Sequence, residues 1–186
     1  MSQEREAVAQ YVREHVQFDR SGKSGKVISA AGKRFEKAFL LLPNEVLRLF
    51  LSGARNLTIV ITPDPALPLG MSTKTQGPPN AREYKITVYD EHQEWPEDLF
   101  LGSFLRELGH VVAQRPPEDE WPTSRGDRAR YKERLEYIAD AMVWRWGLRH
   151  YSMRHLTATY PQHWVERIVV EIGKILLEES ADRGLV

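Results

Sequence analysis

Cysteine is absent from this 186-residue chain, which excludes disulfides, thiolate metal ligands and a cysteine nucleophile. Any metal would have to be held by His, Asp or Glu. Neither sign of charge is in excess, since Lys and Arg number 26 and Asp and Glu also number 26. With no net field and no long basic run, nucleic acid is not an expected partner. Long apolar runs are missing too, and nothing approaches the roughly eighteen apolar residues that a membrane span requires. The first residues, Met1-Ser2-Gln3-Glu4-Arg5-Glu6, are charged with no apolar stretch behind them, unlike a secretory signal. These absences predict a cytoplasmic protein with no membrane and no nucleic-acid partner.

What is present suits one core. The hydrophobic fraction is 41%, the aromatic fraction 10%, and five tryptophans supply large side chains, so a single domain over residues 1–186 is expected. Ala7, Val8, Tyr11, Val12 and Val16 recur at helical spacing over about 3–18. A flexible joint follows at about 20–28, where Ser21-Gly22-Lys23-Ser24-Gly25-Lys26 lacks the first glycine and the preceding strand of a phosphate loop. Two helical stretches divided at Pro43 run from about Ala30 to Gly53. Leu57 to Thr62 reads as a strand by its β-branched content, Pro68 to Asn80 as a Gly/Pro-rich loop, and Tyr84 to Tyr89 as an alternating strand with one wet face, of the antiparallel or edge kind.

Trp95-Pro96-Glu97-Asp98 is a helix start with proline at the first turn and acids beside it, and the helix should run to about Gln114 before Pro116-Pro117. Further helices are expected over about Ala129 to Trp146, closed by Gly147, and over about 162–179. Trp95 and Trp121 should anchor the loops that flank the first of these helices. His150, His155 and His163, near the C-terminal helices, read as surface or hydrogen-bonded structural residues.

On a helical wheel, Phe100, Leu101, Phe104, Leu105, Leu108, Val111 and Val112 cover one side of the 97–114 helix. Ser103, Arg106, Glu107, His110 and Gln114 share a polar stripe on the other, expected to face a cleft or water. Residues 106–110 read Arg-Glu-Leu-Gly-His. This is the His-Glu-x-x-His pattern, in which residues four apart share a helical face and hold one Zn²⁺, with arginine at the first position. On the next expected helix lies Glu136-Tyr137-Ile138-Ala139-Asp140.

Together the two segments resemble the zincin metallopeptidases of the glutamate type, soluble ImmA/IrrE-like or membrane HtpX-like, over about residues 40–146. The resemblance implies an α+β zincin-like fold, mostly helical, with a small sheet beside the motif helix. It also implies peptide-bond hydrolysis by metal-activated water, with Glu107 as general base, His110 and Glu136 as metal ligands and Asp140 supporting them from behind. Arg106 departs from that pattern. Its guanidinium stays protonated and has no lone pair for a metal, so zinc is expected to bind weakly or not at all. Either Arg106 pairs with Glu136 or Glu107 and an ion pair replaces the metal, or His92, just before the helix, serves as substitute ligand. A plain solvated helix face is the third reading. The functional alternative to a peptidase is a non-catalytic module that holds a peptide or protein segment against the edge strand near Tyr84 to Tyr89.

Overall fold

The computed structural model describes residues 3–18, 25–62, 71–89 and 94–182. In chain order these form α1 (Gln3–His15), β1 (Val16–Phe18), α2 (Gly25–Leu40), α3 (Asn44–Leu51), β2 (Asn56–Thr62), β3 (Ser72–Gln76), β4 (Glu83–Tyr89), α4 (Glu97–Val112), α5 (Arg125–Arg145), α6 (Arg149–Thr159) and α7 (Gln162–Asp182). The architecture is α+β, mostly helical with one small sheet. The sheet order is β1-β2-β4-β3, parallel except that β3 runs antiparallel to β4.

Two strands lie where none was expected, and one expected strand changes its place. The Gly/Pro-rich stretch 68–80 contains β3, whose Thr73 and Thr75 lie in register with Ile86 and Tyr84 and share their buried face. Tyr84–Tyr89 has its wet face but is an interior strand, flanked by β2 and β3, so the edge beside the motif helix belongs to β3. The end of the first helical run is β1, paired with Ile59 to Ile61. The joint expected at about 20–28 falls partly outside the described residues, and from Gly25 onward the chain is helical.

α4 sits at the centre. Pro96 precedes it and Glu97 and Asp98 occupy its first turn, where negative charge favours the helix dipole. Its apolar side packs into an aromatic cluster, with Phe35 and Phe104 ring centroids 4.8 Å apart and Phe39 and Phe50 5.3 Å apart. Beneath the sheet, Leu57, Ile59, Ile61, Tyr84, Ile86 and Val88 complete the core. A second cluster, with Ala141, Leu156, Val165, Ile168, Ile172 and Ile175, joins α5, α6 and α7.

The polar side of α4 does not face water. α5, α6 and β3 cover it, and Ser103, Arg106, Glu107 and His110 are all buried. Two glycines permit this close cover. A Cβ at Gly109 would come within 2.5 Å of the Ala139 carbonyl oxygen, and one at Gly102 would meet the Tyr151 backbone. α5 starts earlier than its apolar period suggests because Ser124 caps it. The Asp127 N–H donates to the Ser124 hydroxyl at 3.2 Å, which caps the first turn, and that hydroxyl donates to the Asp127 carboxylate at 2.6 Å. Gly147, with φ +75°, ends it.

Candidate functional site

Residues four apart on α4 and four apart on α5 meet across the helix contact that Gly109 allows. Arg106 reaches over to α5, where its Nη2 donates to Glu136 Oε2 at 2.6 Å and its Nε donates to Asp140 Oδ2 at 3.1 Å. His110 Nε2 lies 3.1 Å from the same Glu136 oxygen. Arg115 comes from beyond the end of α4, its Nη1 3.3 Å from Glu136 Oε1 and 3.4 Å from His110 Nε2. Nε2 cannot both donate to Glu136 and accept from Arg115, and the shorter contact to a charged oxygen assigns it as the donor to Glu136.

Arg115 can fold back because the helix ends in a left-handed residue. Gln114 has φ +56°, and the Arg115 N–H donates to the His110 carbonyl at 2.9 Å. Gln114 therefore leaves the polar stripe, and its own carbonyl accepts from Arg82 at 2.6 Å. Asp140 is tied from behind, since Ser152 of α6 donates to its Oδ1 at 2.9 Å and the Trp144 indole donates to Ser152 at 3.1 Å.

Glu107 turns to the sheet. The Thr73 hydroxyl donates to its Oε2 at 2.7 Å, while Arg106 is 3.9 Å from its other oxygen. Ser103, one turn earlier on α4, lies 2.7 Å from His155 Nδ1. So His155 is an enclosed partner of the stripe, whereas His150 and His163 are exposed.

The charges settle as the geometry implies. Burial works against the Arg106 charge, but Glu136, Asp140 and Glu107 outweigh it and hold the proton more firmly than usual. Burial also opposes ionisation of Glu136, and there Arg106, His110 and Arg115 together win, drawing its carboxyl well below the usual range. In Asp140, which is completely enclosed, burial prevails and holds the carboxyl above its ordinary value despite Arg106 and Ser152.

Arg106, Glu107, His110, Glu136 and Asp140 are thus brought together, and His92 lies outside the described residues. As a zinc site the donor set is incomplete. Two ligands of a tetrahedral zinc lie roughly 3.4 Å apart given bonds of about 2.1 Å, close to the 3.1 Å between His110 and Glu136. The third position is a protonated guanidinium bonded to one of those two ligands. Among the described residues no group of three or more His, Asp or Glu could hold a metal ion. Thr73, Arg115 and Ser152 escaped the sequence reading, because they sit in a Gly/Pro-rich stretch, past a helix end and on α6, whereas His155 is hydrogen-bonded as one of the two readings of it expected.

Beside the cluster runs a cleft of about 570 Å³ between β3, Gly77 and Pro78 on one side and residues 115–120 on the other. Arg115 stacks there on Trp121, 5.1 Å from its ring centroid, and the Trp121 indole donates to the Pro116 carbonyl at 3.1 Å. Trp121 anchors that wall as expected, and Trp95 packs against the main core. Among the described residues no helix is long and apolar enough to cross a membrane. No protein-family model matches the chain, and no curated protein or solved structure matches it either.

Proposed function

We propose that this chain is a cytoplasmic peptide- or protein-binding module on the frame of a glutamate-type zincin peptidase, with the guanidinium of Arg106 where the enzyme would hold its metal. One observation carries the reading. The guanidinium is bonded at once to Glu136 and Asp140, the residues that the resemblance assigns to the third metal ligand and its support. A cation delivered by a side chain thereby satisfies carboxylates that would otherwise face a metal. The donor set does not fit zinc, and Glu107, which would have to take a proton from water, is buried and already bonded to Thr73.

Binding rather than hydrolysis is what the remaining parts suit. β3 is an edge strand, paired with β4, and it lines the 570 Å³ cleft. An extended segment can add to such an edge through main-chain hydrogen bonds and place alternate side chains in the cleft. The corrected edge is β3, not the 84–89 strand.

The test is metal content together with the Arg106→His variant. Tag-free wild-type protein, offered Zn²⁺ and then washed, is expected to retain far less than one equivalent, and Arg106→His close to one. Stoichiometric zinc in the wild type, with peptidase activity lost in Glu107→Gln, would overturn the proposal. So would an Arg106→His protein that folds and yet binds no more zinc than its parent.

A further inference from the structure

A zinc ion brings two positive charges to its ligands, and the guanidinium of Arg106 brings one. A second cation stands at the same carboxylate. Arg106 Nη2 is 2.6 Å from Glu136 Oε2 and Arg115 Nη1 is 3.3 Å from Glu136 Oε1, so each oxygen has its own guanidinium. We propose that Arg106 and Arg115 together take the place of the dication, Arg106 from within α4 and Arg115 from the side of the cleft that it lines, so that the metal site is converted at two positions instead of one. The inference rests on the zincin reading above and assigns a role to a residue outside the motif.

Several features of the chain deliver Arg115 to that place. Gln114 holds φ +56°, a left-handed conformation uncommon for a residue with a side chain, and it turns the backbone so that the Arg115 N–H returns to the His110 carbonyl at 2.9 Å. The guanidinium lies over Trp121, 5.1 Å from its ring centroid. That indole is itself tied to the Pro116 carbonyl at 3.1 Å, so the platform under the charge is fixed. A solvated surface arginine needs none of this, and the Arg115 side chain is only 11% exposed.

Where Arg115 ends decides its role. Its Nη1 is 3.3 Å from Glu136 and 3.4 Å from His110 Nε2, so one atom touches both residues to which the resemblance gives the metal. These contacts are longer than the roughly 2.7–2.9 Å of a charge-assisted hydrogen bond. What Arg115 supplies is therefore a positive charge at close range more than a fixed bond. Replacing Arg106 alone returns a ligand to the site but leaves that charge beside the other two, and a like charge so placed opposes a bound cation. The cleft opens on this same guanidinium, which lies between it and the buried pair.

Zinc affinity, measured by competition with a chromogenic chelator, tests this in Arg106→His and in Arg106→His combined with Arg115→Gln or with Arg115→Lys. The glutamine combination is expected to bind at least about tenfold more tightly than Arg106→His alone. The lysine combination, which keeps the charge, should gain little. If Arg106→His holds zinc and Arg115→Gln adds nothing, or if lysine and glutamine give the same gain, the two-arginine inference fails while the reading of the site stands. If none of the Arg106→His proteins holds zinc, that reading fails and the inference with it. A second measurement needs no metal and leaves Arg106 in place. Urea midpoints of Arg115→Gln, Glu136→Gln and the double variant should show the double losing less than the sum of the singles, as for two residues in contact, and additive losses would overturn the pairing of Arg115 with Glu136.

Discussion

Along one side of α4, Phe100, Leu101, Phe104, Leu105 and Leu108 are packed against other apolar groups and none is more than 1% exposed. Along the other side of the same helix, Ser103, Arg106, Glu107 and His110 are almost as enclosed, at 1–9%, but their neighbours are carboxylates, a second arginine and hydroxyls. The first side gains free energy from burial, roughly 1.5–3 kcal/mol for each large apolar side chain. The second gains little, because the attraction within a buried ion network goes mostly to offset the cost of removing its charges from water. A helix that needed stability alone would be apolar all round. The difference between the sides is what the proposed role of the cluster rests on, since burial of these polar groups adds little to folding.

The sharpest way to break this comparison is to delete one member from each side and then attempt rescue. Asp140→Ala removes a fully buried partner of Arg106 and should cost about 3–5 kcal/mol. Phe104→Ala should cost about as much through the cavity it leaves. Urea denaturation of the singles would not separate the two sides; the doubles would. Adding Arg106→Met to Asp140→Ala removes the guanidinium that has lost one of its two carboxylates and should restore part of the loss, the remainder reflecting Glu136, which then keeps only His110 and Arg115, whereas no polar-side substitution should rescue Phe104→Ala. An Asp140→Ala defect that persists in full without Arg106 would mean that Asp140 acts through Ser152 and Trp144 instead.

How closely the two sides are held is tested by Gly109→Ala. The added methyl has no room against the Ala139 carbonyl, so α5 must move away from α4, at a cost of about 1–3 kcal/mol from overpacking. That displacement should also pull Glu136 and Asp140 from Arg106, so Arg106→His combined with Gly109→Ala should bind zinc less well than Arg106→His alone. Gly126, next to whose Cβ position nothing lies within 4 Å, is the control and should accept alanine without loss, with a gain of up to about 1 kcal/mol from the better helix former.

This glycine also shows what was legible in the sequence. The motif helix was readable because its start, its apolar stripe and the Arg-Glu-Leu-Gly-His register all speak through local spacing, and the convergence of Glu136 and Asp140 on Arg106 follows from the same spacing on α5. What the wheel could not supply was cover. A polar stripe reads as solvent-facing until it is known that α6, Arg149–Thr159, and β3 lie over it. α6 itself has weak apolar periodicity, with Ser152 and Leu156 as its buried residues, so nothing in its sequence announced a helix. β3 is Ser-Thr-Lys-Thr-Gln inside a Gly/Pro-rich stretch, and its strand character comes from pairing with β4. The Ser124-x-x-Asp127 cap was present in the sequence and would have moved the start of α5 to its observed place.

The smallest effect belongs to His155, where the polar side meets α6. Its Nδ1 contacts Ser103, its Nε2 is buried with no hydrogen-bond partner among the described residues, and its pKa is lowered to about 3, by burial first and by the Arg106 charge second, with Glu136 pulling the other way. In the unfolded chain a histidine titrates near 6.5. A folded pKa below the unfolded one means that the unfolded state takes up the proton first as pH falls, so the neutral ring's contribution is complete above about 6.5 and drains away between there and about 3. The slope is about 1.4 kcal/mol per pH unit once below 6.5. Urea midpoints measured from pH 7 to 5, above the range where ordinary carboxylates protonate, should fall in the wild type and fall less in His155→Gln, which can still bond Ser103. Equal slopes in the two proteins would mean that His155 gains its proton in the folded state, and that this end of the polar side is open to water after all.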